Sequence, residues 1–351
     1  MNCGKSRCFD IYIQYSNKNK KKQGLFRQNR QEKEKNERNE TVPESFVFVD
    51  FFLWQWYTET DENQEKKGHD AVTYRTLKER LQNIGAQEPA EEALCLLREL
   101  LHADTASVLA YPEREYSEEV LLQALSQRAS GRPLQYIVGS WPFFRETYYV
   151  NESCLIPRAD TEILVQAAIE DIPQGVRFAD LCTGSGCVAI SILCSRKDLR
   201  ADAVDVMKDA LALAERNAVR NGVEQRIRFM ERDVLTWTPP EPYPFVVANP
   251  PYIPDAVVET LAPEVRQEPA VALRGGEDGL RFYRSLLERK ELWLRPGGAF
   301  YFEIGADQGE AVGRLAGLSG MSARLLQDYE GRDRVICLTG RDCENETGKE
   351  N

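Results

Sequence analysis

The sequence predicts an α/β chain: a small helical domain followed by a mostly parallel sheet with helices on both faces. From Gly175 onward, short apolar runs alternate with longer segments of helical period, the pattern of a doubly wound sheet. Between about 71 and 131 the apolar residues recur at helix spacing, without strand-like alternation. The segment joining the two parts is rich in aromatics and interrupted by Gly139 and Pro142, which suits a β-hairpin linker.

The elements follow in chain order. The first forty residues carry eleven Lys and Arg against five Asp and Glu. Almost no apolar period runs from Lys18 to Glu40, and such a segment buries too little surface to offset chain entropy. The aromatic run Ser45–Tyr57 is too short to span a bilayer. Residues 1–70 are therefore expected to be a disordered or non-native extension. Residues before about Val72 are expected to be dispensable; since no methionine separates Met1 from Met207, a start at Val72 would use another codon. In the helical domain, 71–131, Leu77, Leu81 and Ile84 form one apolar face, and Ala93, Leu96, Leu97, Leu100 and Leu101 another. Ser117 before Glu118-Glu119-Val120 reads as a helix cap leading to Leu121, Leu122 and Leu125. Gly131-Arg132-Pro133 ends that domain. A linker, 132–158, contains the expected hairpin Gln135–Val150.

The sheet domain spans 159–341. Strands are predicted at Phe178–Leu181, Ala203–Val206, Ile227–Met230, Phe245–Ala248, Ala299–Ile304, near Ala323–Asp328, and at Val335–Thr339. Helices are predicted at Val188–Ser195, Lys208–Asn221 and Leu280–Leu294, the last stopped by Pro296-Gly297-Gly298. The acidic tail, 342–351, is expected to be disordered.

Composition narrows the function classes. The chain carries a net charge of −11, and −17 once the first forty residues are set aside. That disfavours wrapping of nucleic acid, which requires basic surface; no stable nucleic-acid partner is expected. Cys95, Cys182, Cys187, Cys194 and Cys337 lie in apolar runs, and His69 and His102 are the only histidines. No metal site is expected, and the cysteines read as buried, reduced thiols, hence a reducing, cytoplasmic location. No apolar run of about 18 residues is present, so no membrane span is predicted.

In a doubly wound sheet, ligands bind beyond the carboxyl ends of the strands, where strand order reverses. The first strand leads into Asp180-Leu181-Cys182-Thr183-Gly184-Ser185-Gly186. This loop lacks the ending of a triphosphate-binding loop and the full dinucleotide fingerprint. The second strand ends at Asp205, where a carboxylate accepts from both ribose hydroxyls or caps the next helix. The third runs into Asp233-Val234, placed for an adenine edge and face; Asp233 also suits a turn cap. Three such features at successive strand ends favour an adenosyl ligand.

The fourth strand ends in Asn249-Pro250-Pro251-Tyr252. Two prolines make a rigid turn, but this one follows a fully apolar strand and opens toward the presumed crevice. The Asn249 side-chain carbonyl and the Pro250 backbone carbonyl are two acceptors for one NH₂ group, and the Tyr252 ring can stack on the plane carrying it. A delocalised nitrogen of this kind is a poor nucleophile. Holding it in line with an electrophilic methyl is the main requirement, with oriented oxygens meeting the developing charge. No ionisable base is needed.

With these motifs, the segment Thr73–Arg341 resembles the release-factor glutamine methyltransferases, the HemK or PrmC family. Asp180–Gly186 resembles the family's glycine loop, with Cys182 where glycine is usual. Asp205 matches the ribose-binding acid, Asp233 and Val234 the adenine side, and Asn249–Tyr252 the NPPY loop. NPPY is shared with amino-methyltransferases of DNA and RNA. The discriminating segment is Leu155-Ile156-Pro157-Arg158-Ala159-Asp160-Thr161-Glu162, similar to the family's IPRPDTE signature; Gln267–Ala270 and Gly275–Gly279 also look like family segments. The resemblance implies a Rossmann-like, seven-stranded class I methyltransferase sheet with a last antiparallel strand, and a helical domain that grips the protein substrate. It implies S-adenosylmethionine as cofactor, bound by Cys182, Thr183, Gly184, Ser185, Gly186, Asp205, Asp233, Val234 and Asn249. Catalysis falls to Asn249, Pro250 and Tyr252. Substrate binding falls to the NPPY loop, with Arg158 and Glu162 open between that role and a buried ion pair. The implied partner is a bacterial class-one peptide chain release factor, methylated on the glutamine of its GGQ motif. The alternatives are an amino-methyltransferase of nucleic acid or of a ribosomal-protein glutamine, and an adenosyl-binding adaptor.

Overall fold

The structure, a computed structural model, describes residues 72–340. The expectations for the basic extension, the aromatic run Ser45–Tyr57 and the acidic tail lie outside the described residues. The chain divides into two compact units between Ala129 and Ser130.

The first unit is helical. Helix α1 (Tyr74–Asn83) starts at Thr73, where the Thr73 hydroxyl accepts from the Thr76 N–H and the Thr76 hydroxyl from the Thr73 N–H. This reciprocal cap satisfies donors that a helix start otherwise leaves unpaired. Helix α2 (Pro89–Leu101) opens on proline, whose missing N–H costs nothing there. Helix α3 (Thr105–Ala110) is capped by the Asp104 carboxylate, which accepts from the Ser107 N–H at 2.8 Å. Helix α4 (Glu118–Ala129) begins just after Ser117, as read from the sequence. Leu77, Leu81, Ala93, Leu96, Leu97, Val108, Leu121 and Leu125 are buried. Ile84 and Leu122, read as core, are about two-fifths exposed, Ile84 because it lies beyond the last turn of α1. Glu92 and Arg128 form a buried two-bond ion pair, with Nε to Oε2 at 2.7 Å and Nη2 to Oε1 at 3.0 Å.

The second unit opens on a correction. The stretch expected to be hairpin, Gln135–Val150, begins with a helical turn, α5 (Leu134–Val138). That turn buries Leu134 and Tyr136 and ends at Gly139 in the left-handed region. The hairpin itself is shorter: β1 (Ser140–Phe143) paired antiparallel with β2 (Glu146–Tyr149). Then come α6 (Glu162–Asp171), β3 (Arg177–Leu181), α7 (Cys187–Ser195), β4 (Arg200–Asp205), α8 (Lys208–Arg220), β5 (Ile227–Glu231) and β6 (Tyr243–Ala248). They are followed by α9 (Asp255–Val258), α10 (Arg281–Glu288), α11 (Lys290–Trp293), β7 (Leu294–Glu303), α12 (Gly309–Leu318), β8 (Met321–Gln327) and β9 (Asp333–Gly340). The seven-stranded sheet has the order β5-β4-β3-β6-β7-β9-β8. Strands β3 to β7 are parallel, and β9 is antiparallel to both β7 and β8. This is the class I methyltransferase sheet.

Strand alternation sends successive residues to opposite faces. Phe178, Ala201, Ala203, Phe245, Val247 and Tyr301 pack on one face with α6 and α7. Ala179, Leu181, Val204, Val246, Phe300 and Phe302 pack on the other with α10, α11 and α12. The predicted helix Leu280–Leu294 is two helices, α10 and α11. Pro296-Gly297-Gly298 does not stop a helix but lies inside the irregular start of β7. There the pairing slips from Tyr243 opposite Leu294 to Phe245 opposite Ala299. The six described cysteines are free, with Cys182 and Cys194 half-buried rather than buried. Among the described residues no helix is long and apolar enough to cross a membrane, and no group of His, Cys, Asp and Glu could hold a metal ion.

Candidate active site

Strand order reverses between β3 and β6, and a cavity of about 360 Å³ opens beyond their carboxyl ends. Cys182, Thr183, Gly184, Ser185, Asp205, Asp233, Val234, Asn249, Pro251 and Arg158 all line it. Residues from the ends of four strands thus meet at one crevice, the usual ligand position for this topology.

The β3 loop is held from beneath. The Thr183 hydroxyl donates to Asp180 Oδ2 at 2.6 Å, and the Ala189 N–H reaches the same oxygen at 3.2 Å. Burial pushes the Asp180 carboxyl up to about 7 against those two donors. Cys182 adopts φ +58°; a left-handed residue with a Cβ is strained by about 1–2 kcal/mol. Gly186, also left-handed, does not line the cavity. A Cβ there would lie 2.8 Å from Ile190 Cδ1 and 3.1 Å from Ala214 Cβ, so it packs the loop onto α7 and α8. Asp205 closes the loop: Oδ2 accepts from the Gly184 N–H and Oδ1 from the Met207 N–H, each at 2.9 Å. Burial raises its pKa, and these N–H groups oppose the rise. A carboxylate has about four acceptor positions, so it retains capacity for ligand hydroxyls. Asp233 caps its own turn, accepting from the Leu235 N–H at 2.9 Å, while Val234 is buried at the cavity wall. Val206, Leu235 and Phe282 complete an apolar slot beside these acids. Carboxylate acceptors beside an apolar slot suit an adenosyl methyl donor.

Across the crevice, Asn249 follows β6 and donates from Nδ2 to the Thr161 hydroxyl at 3.2 Å. Pro250 is buried and, like Tyr252, lies outside the cavity lining. The Tyr252 ring packs against the inner core, and its hydroxyl donates to Glu303 Oε1 at 3.3 Å. Its carbonyl accepts from Gln308 Nε2 at 3.0 Å. Gly279 lies directly against this loop, since a Cβ there would come within 2.3 Å of the Tyr252 carbonyl oxygen.

Arg158 and Glu162 do not pair with each other. Arg158 lines the cavity and bonds Glu268 Oε1, whose other oxygen accepts from the Ile156 N–H at 2.9 Å. Glu162 lies outside the lining and accepts from the Phe144 N–H at 2.8 Å, tying α6 to the hairpin turn.

Several neighbours escaped the sequence reading. Glu303 is a charged residue closing an apolar strand, Ala299–Glu303, and is buried; a lone charge in such a run is the signal that marks it. Asn217, buried on the apolar face of α8, accepts from the Tyr149 N–H at 2.7 Å. It also donates to the Tyr149 and Ser185 carbonyls at 3.1 and 2.9 Å. Its signal is an amide at a position where the helix period calls for an aliphatic residue.

Fold and crevice define a class I methyltransferase, and relatives narrow the class. Residues 73–139 match the PrmC N-terminal domain and residues 159–276 the Methyltransferase small domain. A release factor glutamine methyltransferase of Moorella thermoacetica is 39% identical, covering 75% of this chain and 95% of its own. One of Caulobacter vibrioides is 35% identical, covering 74% and 92%. Among solved structures, a release-factor-specific protein-(glutamine-N5) methyltransferase of Alicyclobacillus acidocaldarius matches 55% of this chain and 99% of its own. It does so at 30% identity and a TM-score of 0.33. The chain belongs to the release factor glutamine methyltransferase family.

Proposed function

We propose that this protein transfers a methyl group from S-adenosylmethionine to the side-chain amide nitrogen of the GGQ glutamine in class-one peptide chain release factors, in the cytoplasm. The observation that carries this reading is the single cavity shared by Asp205 at the end of β4 and Asn249 at the end of β6. When bound, S-adenosylmethionine supplies an electrophilic methyl. Asp205 takes the ribose hydroxyls, Asp233 and Val234 the adenine, and the backbone from Cys182 to Ser185 the remainder of the donor.

The glutamine nitrogen is a weak nucleophile because its lone pair is delocalised into the carbonyl. The Asn249 side-chain oxygen, at the cavity, accepts from that nitrogen and fixes its plane, while the buried Pro250 holds the loop that presents it, so the lone pair points at the methyl. Positioning of this kind replaces a bimolecular encounter with a held geometry. Tyr252 holds the loop through Glu303, and Arg158 with Glu268 holds the cavity wall at Ile156. Glu162 acts on the hairpin and not on substrate. A binding partner of protein rather than nucleic acid agrees with the net −17 outside the first forty residues.

Incubation with labelled donor and either intact release factor or a variant carrying alanine for the GGQ glutamine tests this. Label on the intact protein alone is expected; equal label on both, or transfer to DNA or ribosomes instead, overturns it. Asn249→Ala is expected to cut transfer by about a hundredfold, leaving a residual rate, while donor affinity, measured by calorimetry, changes little.

A further inference from the structure

The side chain of asparagine has two nearly isosteric ends, and only one serves as an acceptor. Which end faces the cavity is decided by what lies behind it. Asn249 presents Nδ2 to the Thr161 hydroxyl at 3.2 Å. Thr161 immediately precedes α6 at the cavity wall and is 2% exposed, so no solvent competes for its hydroxyl. Glu303, 1% exposed, lies within hydrogen-bonding range of the Thr161 hydroxyl, and its Oε1 accepts from the Tyr252 hydroxyl. Glu303 Oε2 is buried with no hydrogen-bond partner of good geometry among the described residues. Above about pH 7 the Glu303 carboxylate is ionised and only accepts, and a threonine hydroxyl has one proton. If that proton is turned to the carboxylate, the hydroxyl has only lone pairs left for Asn249.

We propose that Thr161, backed by Glu303, is a positioning residue that fixes the flip state of the Asn249 amide, so that its carbonyl end faces the substrate nitrogen. The chain of polarity runs from carboxylate to hydroxyl to amide. The hydroxyl gives its proton to Glu303 and accepts from Asn249 Nδ2, leaving Oδ1 for the cavity. Reversed, Asn249 would meet the glutamine NH₂ with its own NH₂, donor against donor. The residues come from α6, β6 and β7, so three elements must be in place before the acceptor is correctly presented.

This rests on the reading that Asn249 accepts from the substrate amide, and the experiment separates the two. Thr161→Val keeps the side-chain shape and removes the hydroxyl; Thr161→Ser keeps the hydroxyl. The valine variant is expected to lose about tenfold or more in kcat, the scale of one mis-set hydrogen bond. Donor Kd and release-factor KM should stay within about twofold, and serine should restore kcat to within about threefold. In an Asn249→Ala background, Thr161→Val should change turnover no further, because its effect passes through that amide. A valine variant with parental kcat, a serine variant as impaired as valine, or an effect that persists in the Asn249→Ala background overturns the inference. Parental turnover in Asn249→Ala itself overturns the reading of Asn249 and this inference with it. Should the valine variant not fold, Thr161→Ala, which also removes the hydroxyl, carries the same kcat expectation, and parental kcat there overturns the inference.

Discussion

At Asp205 one carboxylate both ties the loop and borders the cavity. Its oxygens hold the Gly184 and Met207 N–H groups while facing the cavity. Asp205→Ala is expected to weaken donor binding by about 1–3 kcal/mol, the range for a hydrogen bond to a charged group; unchanged affinity by calorimetry would remove the ribose role. Glu303 gives a pH-dependent test. Burial pushes its carboxyl up to about 7 from 4.5; the Thr161 and Tyr252 hydroxyls and the Arg334 cation oppose that rise, and Asp160 adds to it. The native state therefore keeps a proton that the unfolded chain has released, and Glu303 makes stability fall as pH rises from about 4.5 through 7. Glu303→Gln is expected to gain on the parent by on the order of 1–3 kcal/mol between pH 5 and pH 8 in urea melts. A difference that does not vary with pH contradicts it. Asp205 and Asn249 were legible in the sequence because they occupy strand ends. Thr161 and Glu303 were not legible as partners of Asn249 and Tyr252, because their meeting depends on the register between β6 and β7.

Elements with a clean apolar signal were legible: Phe178–Leu181 and Phe245–Ala248 lie within β3 and β6. Others hid behind their composition. Helix α12 carries Gly309, Gly313 and Gly317, which dilute the helical signal, yet Val312 and Ala316 are fully buried. Helix α6 reads as a motif rather than a helix because Leu164, Val165, Ala167 and Ala168 crowd its buried side. Between elements, Asn217 joins α8 to the hairpin and to the loop after β3 through three hydrogen bonds. Asn217→Ala strands buried polar groups on both, and is expected to lower stability by about 2–4 kcal/mol and to weaken donor binding in parallel. Denaturant melts with calorimetry check both, and intact donor affinity alongside a large stability loss would confine Asn217 to the hairpin. In the helical unit, Glu92→Ala leaves Arg128 buried without its two-bond partner. A loss of about 3–5 kcal/mol is expected, and thermal melts showing no shift would refute it.

Over the whole molecule, one wall of the crevice comes from the ends of β3, β4 and β5 and the other from β6 onward, on either side of the point where strand order reverses. The arrangement lets residues more than sixty positions apart, Asp180 and Asn249, share one crevice. It also sets an order of assembly. The last strand, β9, is not added at the sheet edge but enters between β7 and β8. Its Val335 lies opposite Glu303, and its Arg334 reaches Asp160 and Asp328 at 3.3 Å. A chain that lacks β9 has β7 as a bare sheet edge and β8 without its pairing strand, and Glu303 has no β9 residue opposite it. Non-local pairings of this kind form slowly. The crevice is thus expected to take its final form only once β9 has entered between β7 and β8.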